Sequence, residues 1–253
     1  QYGSKILTLS SLLNTEFRLP FRKISNLIKT LYGYKFNQAT AIDANERLFE
    51  SLAPIEQEIK AQILGSEVVH FDETGLRVEG KLQWVHTACS ASFCYLFLHP
   101  NRGKKALKDL KSVLKDYQSW AVHDCYASYF TFQDCKHAIC NAHILRELQA
   151  LKEQNSVWAS QMHNFLMALY KDTEKGTQSI NDLEKQAIYR AKYAQICLHA
   201  AKEEPLLEAK ARGKPKKAKG RNLLDRLMKY QEAVLAFAFV QVVPFTNNLA
   251  EQA

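Results

Sequence analysis

The stretch Glu67–Gly75, EVVHFDETG, sets Asp72, Glu73 and Thr74 directly behind a short apolar run, Val68–Phe71. A β-branched run bounded by Gly65 and Gly75 reads as a strand over 67–72, and a carboxylate where a strand meets solvent rests on a rigid support. Taken alone, Asp72 is better explained as the start of a turn, a position that aspartate favours. The same design recurs downstream, where a second strand, Trp120–His123, ends at Asp124. Carboxylates meeting across neighbouring strands repel each other unless a cation lies between them. A divalent metal is the natural occupant. A third acid, Glu251, falls on the first turns of a final helix that Thr246 or Asn247 can cap.

Other residues of suitable type surround these acids. Cys135, His137, Cys140 and His143 form C-x-H-x2-C-x2-H, and such residues bind zinc. The spacings are tighter than in ordinary zinc fingers. On a strand at 136–141, Cys135, His137 and Cys140 cannot all face one side, so a structural zinc is not expected. Alternation puts His70 on the face of Asp72 and turns His123 away from Asp124, and neither is expected to be a primary ligand. Arg146 and Glu147 open a long helix, where phosphate binding competes with ordinary ion pairing along the helix surface. Trp84, Trp120 and Trp158 sit in apolar patterns and read as core. Asn247 and Asn248 are expected to cap the last helix and orient Glu251.

The elements that must position these residues follow from period. Residues 1–65 read as a helical N-terminal segment: two helices over 9–31 joined at Leu19-Pro20, then a longer one from Gln38 to Leu64 that Pro54 bends or restarts. From Glu67 the period changes to that of strands. Strand 67–72 is followed by an apparent hairpin, Leu82–Cys89 with Ser92–His99, then a helix over Gly103–Leu114. Strand Trp120–His123, a short helix over Ala127–Phe132 and a strand over Lys136–Asn141 complete the first part of the core, 66–141. A three-strand meander followed by strand–helix alternation predicts an α/β layer on a mixed sheet. Residues 142–221 read as a helical insertion ending in a basic loop, with its helices broken at Gly176-Thr177. Residues 222–253 return to the core, with a helix over Leu223–Phe239 and then the segment carrying Glu251.

At 253 residues, 47% hydrophobic and 24% charged, the chain has the composition of an ordinary globular protein. No apolar run approaches the roughly 20 residues of a membrane span, and nothing at the N-terminus suggests export. Six cysteines make no disulfide scaffold, so a reducing cytoplasm is the expected compartment. The net charge of +8 is concentrated. Lys210–Arg221 holds seven Lys or Arg, among them Lys214, Lys216, Lys217, Lys219 and Arg221, and no acid. Arg102–Lys115, which includes Arg102 and Lys104, holds six with a single Asp109. Such blocks attract polyanions, nucleic acid above all, although a solvated loop has the same composition.

Two acids on strands and one on a late helix resemble the DDE catalytic core of the RNase H-like fold. More narrowly, the surrounding words resemble transposases of the insertion sequence 66 family: HFDETGLRVEGKLQWVH, HP-RGK at 99–104, VHDCYASYF, CKHAICNAHILREL, KGRNLLDRLMKY and VPFTNNLAEQ. They stand in the family's order over 66–252, and 2–65 resemble its helical lead-in. The resemblance implies an RNase H-like mixed five-stranded sheet with flanking helices, a helical N-terminal lead-in and a helical insertion before the last catalytic acid. It implies two Mg²⁺ or Mn²⁺ ions held by Asp72, Asp124 and Glu251, and cleavage of transposon ends followed by strand transfer into target DNA. The partners would be double-stranded DNA and a second copy of the chain. Cys140-x2-His143 looks like a word found after the second Asp in several transposase groups. It gives His143 either an approach to the scissile phosphate or a part in shaping the site; a core-satisfying histidine is the alternative. Arg102, Lys104, Arg146 and the 214–221 cations would meet DNA phosphates. Gln252 replaces the usual Arg, and Cys125-Tyr126 the usual Gly-Trp. With the chain stopping at Ala253 and the expected terminal recognition segments absent, Glu251 is expected to fray. The other reading is therefore a catalytically silent DNA-binding or dimerisation module derived from a transposase, with a non-transposing nuclease as a third.

Overall fold

The five strands of the computed structural model, which describes residues 2–206 and 217–252, form one mixed sheet. They are β1 (Val68–Val78), β2 (Lys81–Cys89), β3 (Cys94–His99), β4 (Trp120–His123) and β5 (Lys136–Ile139), in the order β3-β2-β1-β4-β5. The first three form an antiparallel meander, and β4 and β5 join parallel to β1. This is the mixed α/β sheet expected of an RNase H-like core.

β1 does not stop at Asp72 as expected but runs on to Val78, because β2 pairs with it from His70↔Cys89 to Val78↔Lys81. The hairpin closes on Glu79-Gly80, both with positive φ (50° and 77°), the conformation of a two-residue turn that matches strand twist. The parallel partner is shorter. β4 pairs with β1 only as far as His70↔Val122. Asp72 is therefore mid-strand, at the point where β4 lets go. A disulfide joins Cys89 to Cys94, register partners across the β2–β3 turn. A loop that short removes little freedom from the unfolded chain, so it is no scaffold.

The chain divides into two units, Gln1–Ile59 and Lys60–Ala253. In the first, α1 (Ser4–Thr15), α2 (Phe21–Tyr32) and α3 (Gln38–Ser51) bury Ile24, Ile28, Phe36 and Ala41 against Ile6, Leu13 and Phe21. Pro20 precedes α2, and Gly33 closes it in the left-handed conformation, which costs glycine nothing. A fourth helix, α4 (Ala53–Leu64), restarts at Pro54 as expected and carries the chain across the boundary.

In the second unit the expected helix over 103–114 contracts to α5 (Lys104–Leu107) and a 3₁₀ turn at Leu114–Asp116. Asp109 accepts the Lys111 N–H at 2.9 Å, a side-chain turn that competes with the helix ladder. The remaining helices are α6 (Asn141–Lys152), α7 (Val157–Asp172), α8 (Leu183–Glu203), α9 (Lys219–Lys229), α10 (Gln231–Phe239) and α11 (Asn248–Glu251). Two breaks were not legible: Asn155, at positive φ, separates α6 from α7, and Tyr230 separates α9 from α10. Trp158, Met162, Leu166 and Leu169 of α7 pack with Tyr193 and Cys197 of α8, Leu223 and Leu227 of α9, and Val234–Ala238 of α10. Val122, Ala138 and Ile139 of the sheet belong to the same core, so the helical insertion and the sheet share one apolar interior. Among the described residues no helix is long and apolar enough to cross a membrane.

Candidate active site

The β1–β4 register runs at a constant offset through Val68↔Trp120 and His70↔Val122. That pairing ends two residues short of Asp72, and Asp124 follows β4 directly, so the two acids lie just beyond the same end of the β1–β4 ladder. The carboxyl of Asp72 is held above its usual range, first by burial and then by the charges of Asp124 and Glu251, with His143 pulling the other way. Asp72 therefore feels the charge of both other acids expected from sequence. Asp124 is fixed by its own turn, its carboxylate accepting the Tyr126 N–H at 2.8 Å.

Alternation sends the neighbouring acid, Glu73, to the opposite face, where its side chain is only 1% exposed. It accepts from Arg102 Nε at 2.8 Å and from the Tyr129 hydroxyl. Burial still outweighs these partners and raises its carboxyl. Arg102 reaches on to Asp124 at 3.9 Å and lies over the rings of Trp84 and Tyr126, 5.2 and 4.6 Å from their centroids. Trp84, expected in the core, is instead half-buried beneath this guanidinium. Sequence reasoning gave Glu73 no role. The signal was the alternation itself, which puts one acid of the DET word toward the site and the other into the protein.

Glu251 comes from α11, a helix of four residues, and its position depends on Asn247. The Asn247 side chain does not cap the helix as expected. It is fully buried, donating from Nδ2 to the Phe71 carbonyl at 2.8 Å and meeting His70 Nδ1 at 3.0 Å. Its backbone N–H points at Cys140 Sγ, 3.2 Å away. The loop before α11 is thus fastened to β1 on one side and to the start of α6 on the other. His70 is committed to that clamp, and burial lowers its pKa.

Cys140 and His143 stand one turn apart at the start of α6. His143 Nδ1 lies 3.6 Å, and Cys140 Sγ 3.5 Å, from Glu251 Oε1. Arg146 Nη2 lies 3.9 Å from the other carboxylate oxygen. Cys135 and His137 belong elsewhere: His137 contacts Cys135 and His123, and donates from Nε2 to the Phe132 carbonyl. His123 is fully buried and its pKa is pushed down to about 3 by that burial, so it is a core residue.

The oxygen donors of Asp72 and Asp124 suit a hard cation, and the Asp72 carboxyl is raised first by burial, with the charges of Asp124 and Glu251 adding to it. The surroundings of Glu251 are of another kind, with sulfur and nitrogen beside the carboxylate.

The expected DNA-binding cations are scattered. Lys214 and Lys216 lie outside the described residues. Lys217 and Arg221 both pair with Asp225, and Arg221 also donates to the Glu204 carbonyl at 2.9 Å. Lys104 and Lys219 are exposed. Lys219 and Arg146 line a groove of about 600 Å³ between α6 and α9, crossed by the Glu147–Arg226 ion pair. No curated protein matches the chain. The family model described as transposase IS66 family matches it over residues 1–253.

Proposed function

The chain belongs to the IS66 family of transposases, and from that premise we propose that it is a DDE catalytic core performing metal-dependent phosphoryl transfer on DNA. The observation that carries the reading is the electrostatic coupling of the acids, the Asp72 carboxyl being raised by burial and then by the charges of Asp124 and Glu251. Asp72 and Asp124 would hold one Mg²⁺ or Mn²⁺ together with DNA phosphate oxygens, and Glu251 would complete a place for a second ion. Divalent ions so placed lower the pKa of an attacking water or 3′-hydroxyl and stabilise the leaving oxygen. Arg102, Lys104, Arg146 and Lys219 supply cations for the DNA backbone, which fix register without reading sequence. Cleavage of transposon ends and their transfer to target require two DNA ends together, so a homodimer on DNA is part of the proposal.

The silent-module reading has one observation in its favour: Arg102 and Arg146 already lie beside Asp124 and Glu251, and fixed cations can neutralise acids without metal. Calorimetric titration of Mn²⁺, with and without duplex DNA carrying a transposon end, separates the two. The catalytic reading expects binding that duplex strengthens, that Asp124→Asn abolishes, and that accompanies strand cleavage. Absence of Mn²⁺ binding even with duplex, in a folded protein, would overturn it in favour of the silent module.

A further inference from the structure

Among the described residues, one set of three His, Cys, Asp or Glu side chains brings its ligand atoms within 4.8 Å of one another, and it is Cys140, His143 and Glu251. The aspartates, for all their electrostatic coupling, do not join it. Cys140 is completely buried, and its sulfur accepts the Asn247 N–H at 3.2 Å and lies 3.5 Å from Glu251 Oε1. His143 Nδ1 is buried and has no hydrogen-bond partner, a cost that a buried polar atom normally avoids. It faces Glu251 Oε1 from 3.6 Å, too far for a hydrogen bond and wide enough to admit an ion between donors. The ligands come from segments distant in sequence, two from the start of α6 and one from α11.

We propose that Cys140, His143 and Glu251 form a mono-ion site for a borderline divalent cation of the zinc class. One thiolate, one imidazole and one carboxylate suit zinc or cobalt and exclude magnesium, which takes oxygen ligands. Three protein ligands leave a fourth position open to water or to a phosphate oxygen, as in catalytic rather than structural zinc sites. The site rests on the proposed function only in sharing Glu251. It makes the two metal places of the domain unlike, a hard one at Asp72 and Asp124 and a soft one at Glu251. It also differs from the four-residue cysteine–histidine set suggested by spacing, half of which the fold turns away.

The test is titration of the metal-stripped chain with Co²⁺, which reports its ligands in its spectrum. One equivalent is expected to produce the near-ultraviolet thiolate-to-cobalt band with the visible bands of a four-coordinate ion. Cys140→Ser is expected to remove the near-ultraviolet band. His143→Gln is expected to keep that band while weakening binding at least tenfold. Cys135→Ser and Asp72→Asn should leave the spectrum intact. Circular dichroism and thermal melting establish that each variant is folded. No cobalt spectrum in the folded wild type, or a thiolate band that survives Cys140→Ser or disappears with Cys135→Ser, would overturn the proposal. Mn²⁺ binding lost in Asp72→Asn with the cobalt spectrum unchanged would support it and leave the hard site standing on separate evidence.

Discussion

Arg102→Ala isolates the buried acid behind the candidate site. Glu73 is 1% exposed, and its two side-chain partners are Arg102 and the Tyr129 hydroxyl. Removing one member of a fully buried ion pair costs about 3–5 kcal/mol. Here the guanidinium side chain is 39% exposed, so solvent already screens part of the attraction, and Tyr129 still donates to the remaining charge. We discount the loss to about 1.5 kcal/mol on these grounds. The forfeited stacking on Trp84 and Tyr126 adds about 0.5 kcal/mol, the low end for exposed cation–π pairs. The total, about 2 kcal/mol, corresponds to a fall in melting temperature of roughly 4–8 °C for a domain of this size. Arg102→Lys should recover little of it, because an ammonium cannot reproduce the donor fork or the stacking. Glu73→Gln in the Arg102→Ala background should recover more than half, since the stranded charge is then gone. Thermal melts of the four proteins at pH 7 decide the matter. A single Arg102→Ala change within about 0.5 kcal/mol of wild type would refute the claim that Arg102 holds a buried charge.

Glu73 also gives a pH signature. Its carboxyl is raised above the ordinary 4.5, chiefly by burial, so the folded chain keeps a proton that the unfolded chain has released. Between those two pKa values stability falls as pH rises. The melting difference, Glu73→Gln minus wild type, should therefore be near zero at about pH 4 and become more positive toward pH 7. Taking the difference cancels the buried histidines, whose lowered pKa values pull the other way. A flat or falling difference contradicts the raised carboxyl. Asn247→Ala strands the Phe71 carbonyl and His70 and should cost about 3 kcal/mol in urea unfolding; a cost under about 1 kcal/mol would show that the clamp is dispensable. Glu203→Ala removes a carboxylate that accepts the Val157 and Trp158 N–H groups at 3.2 and 3.1 Å, at the first turn of α7. It should lower stability by about 1 kcal/mol, whereas an unchanged melt would place that anchor outside the stability of the insertion.

The strands were legible because their apolar runs are short, β-branched and bounded by turn residues, and the mixed character of the sheet followed from the meander and the alternation after it. Asp124 could be found because β4 ends there. What escaped reading was set by partners distant in sequence. β1 looked finished at Asp72 because Glu73 and Gly75 are poor strand formers, yet pairing with β2 carries the strand through them. The segment 103–114 has helical spacing and buries Ala106, Leu107, Val113 and Leu114, but Asp109 folds it into turns. The approach of Cys140 to Glu251 spans 111 positions, and no local pattern announces it. Asn247 could be expected to cap a helix from its type alone. That it instead ties two strands' surroundings together depends on where β1 exposes the Phe71 carbonyl.

The presentation of Glu251 follows from these distant ties. A helix of four residues has no independent stability, since nucleation alone costs more than one turn returns, so α11 must be held from outside. Its backbone enters through Phe245, whose carbonyl accepts the Asn141 N–H at 3.0 Å. Asn141 also donates from Nδ2 to the Val234 carbonyl of α10 at 3.1 Å. The residue after Cys140 therefore fastens α6 to α10 and to the segment before α11, while Asn247 fastens that segment to β1. Both ties are buried, where hydrogen bonds are costly to leave unmade. The insertion between Asp124 and Glu251 is long, but the two ends that matter meet at Cys140–Asn141. The helices of the insertion supply the apolar core that lets α10 lie against β5, and the polar ties fix Glu251 relative to that core. The position of the third acid consequently depends on the ties at Cys140, Asn141 and Asn247, which makes the start of α6, rather than the propensity of α11, its determinant.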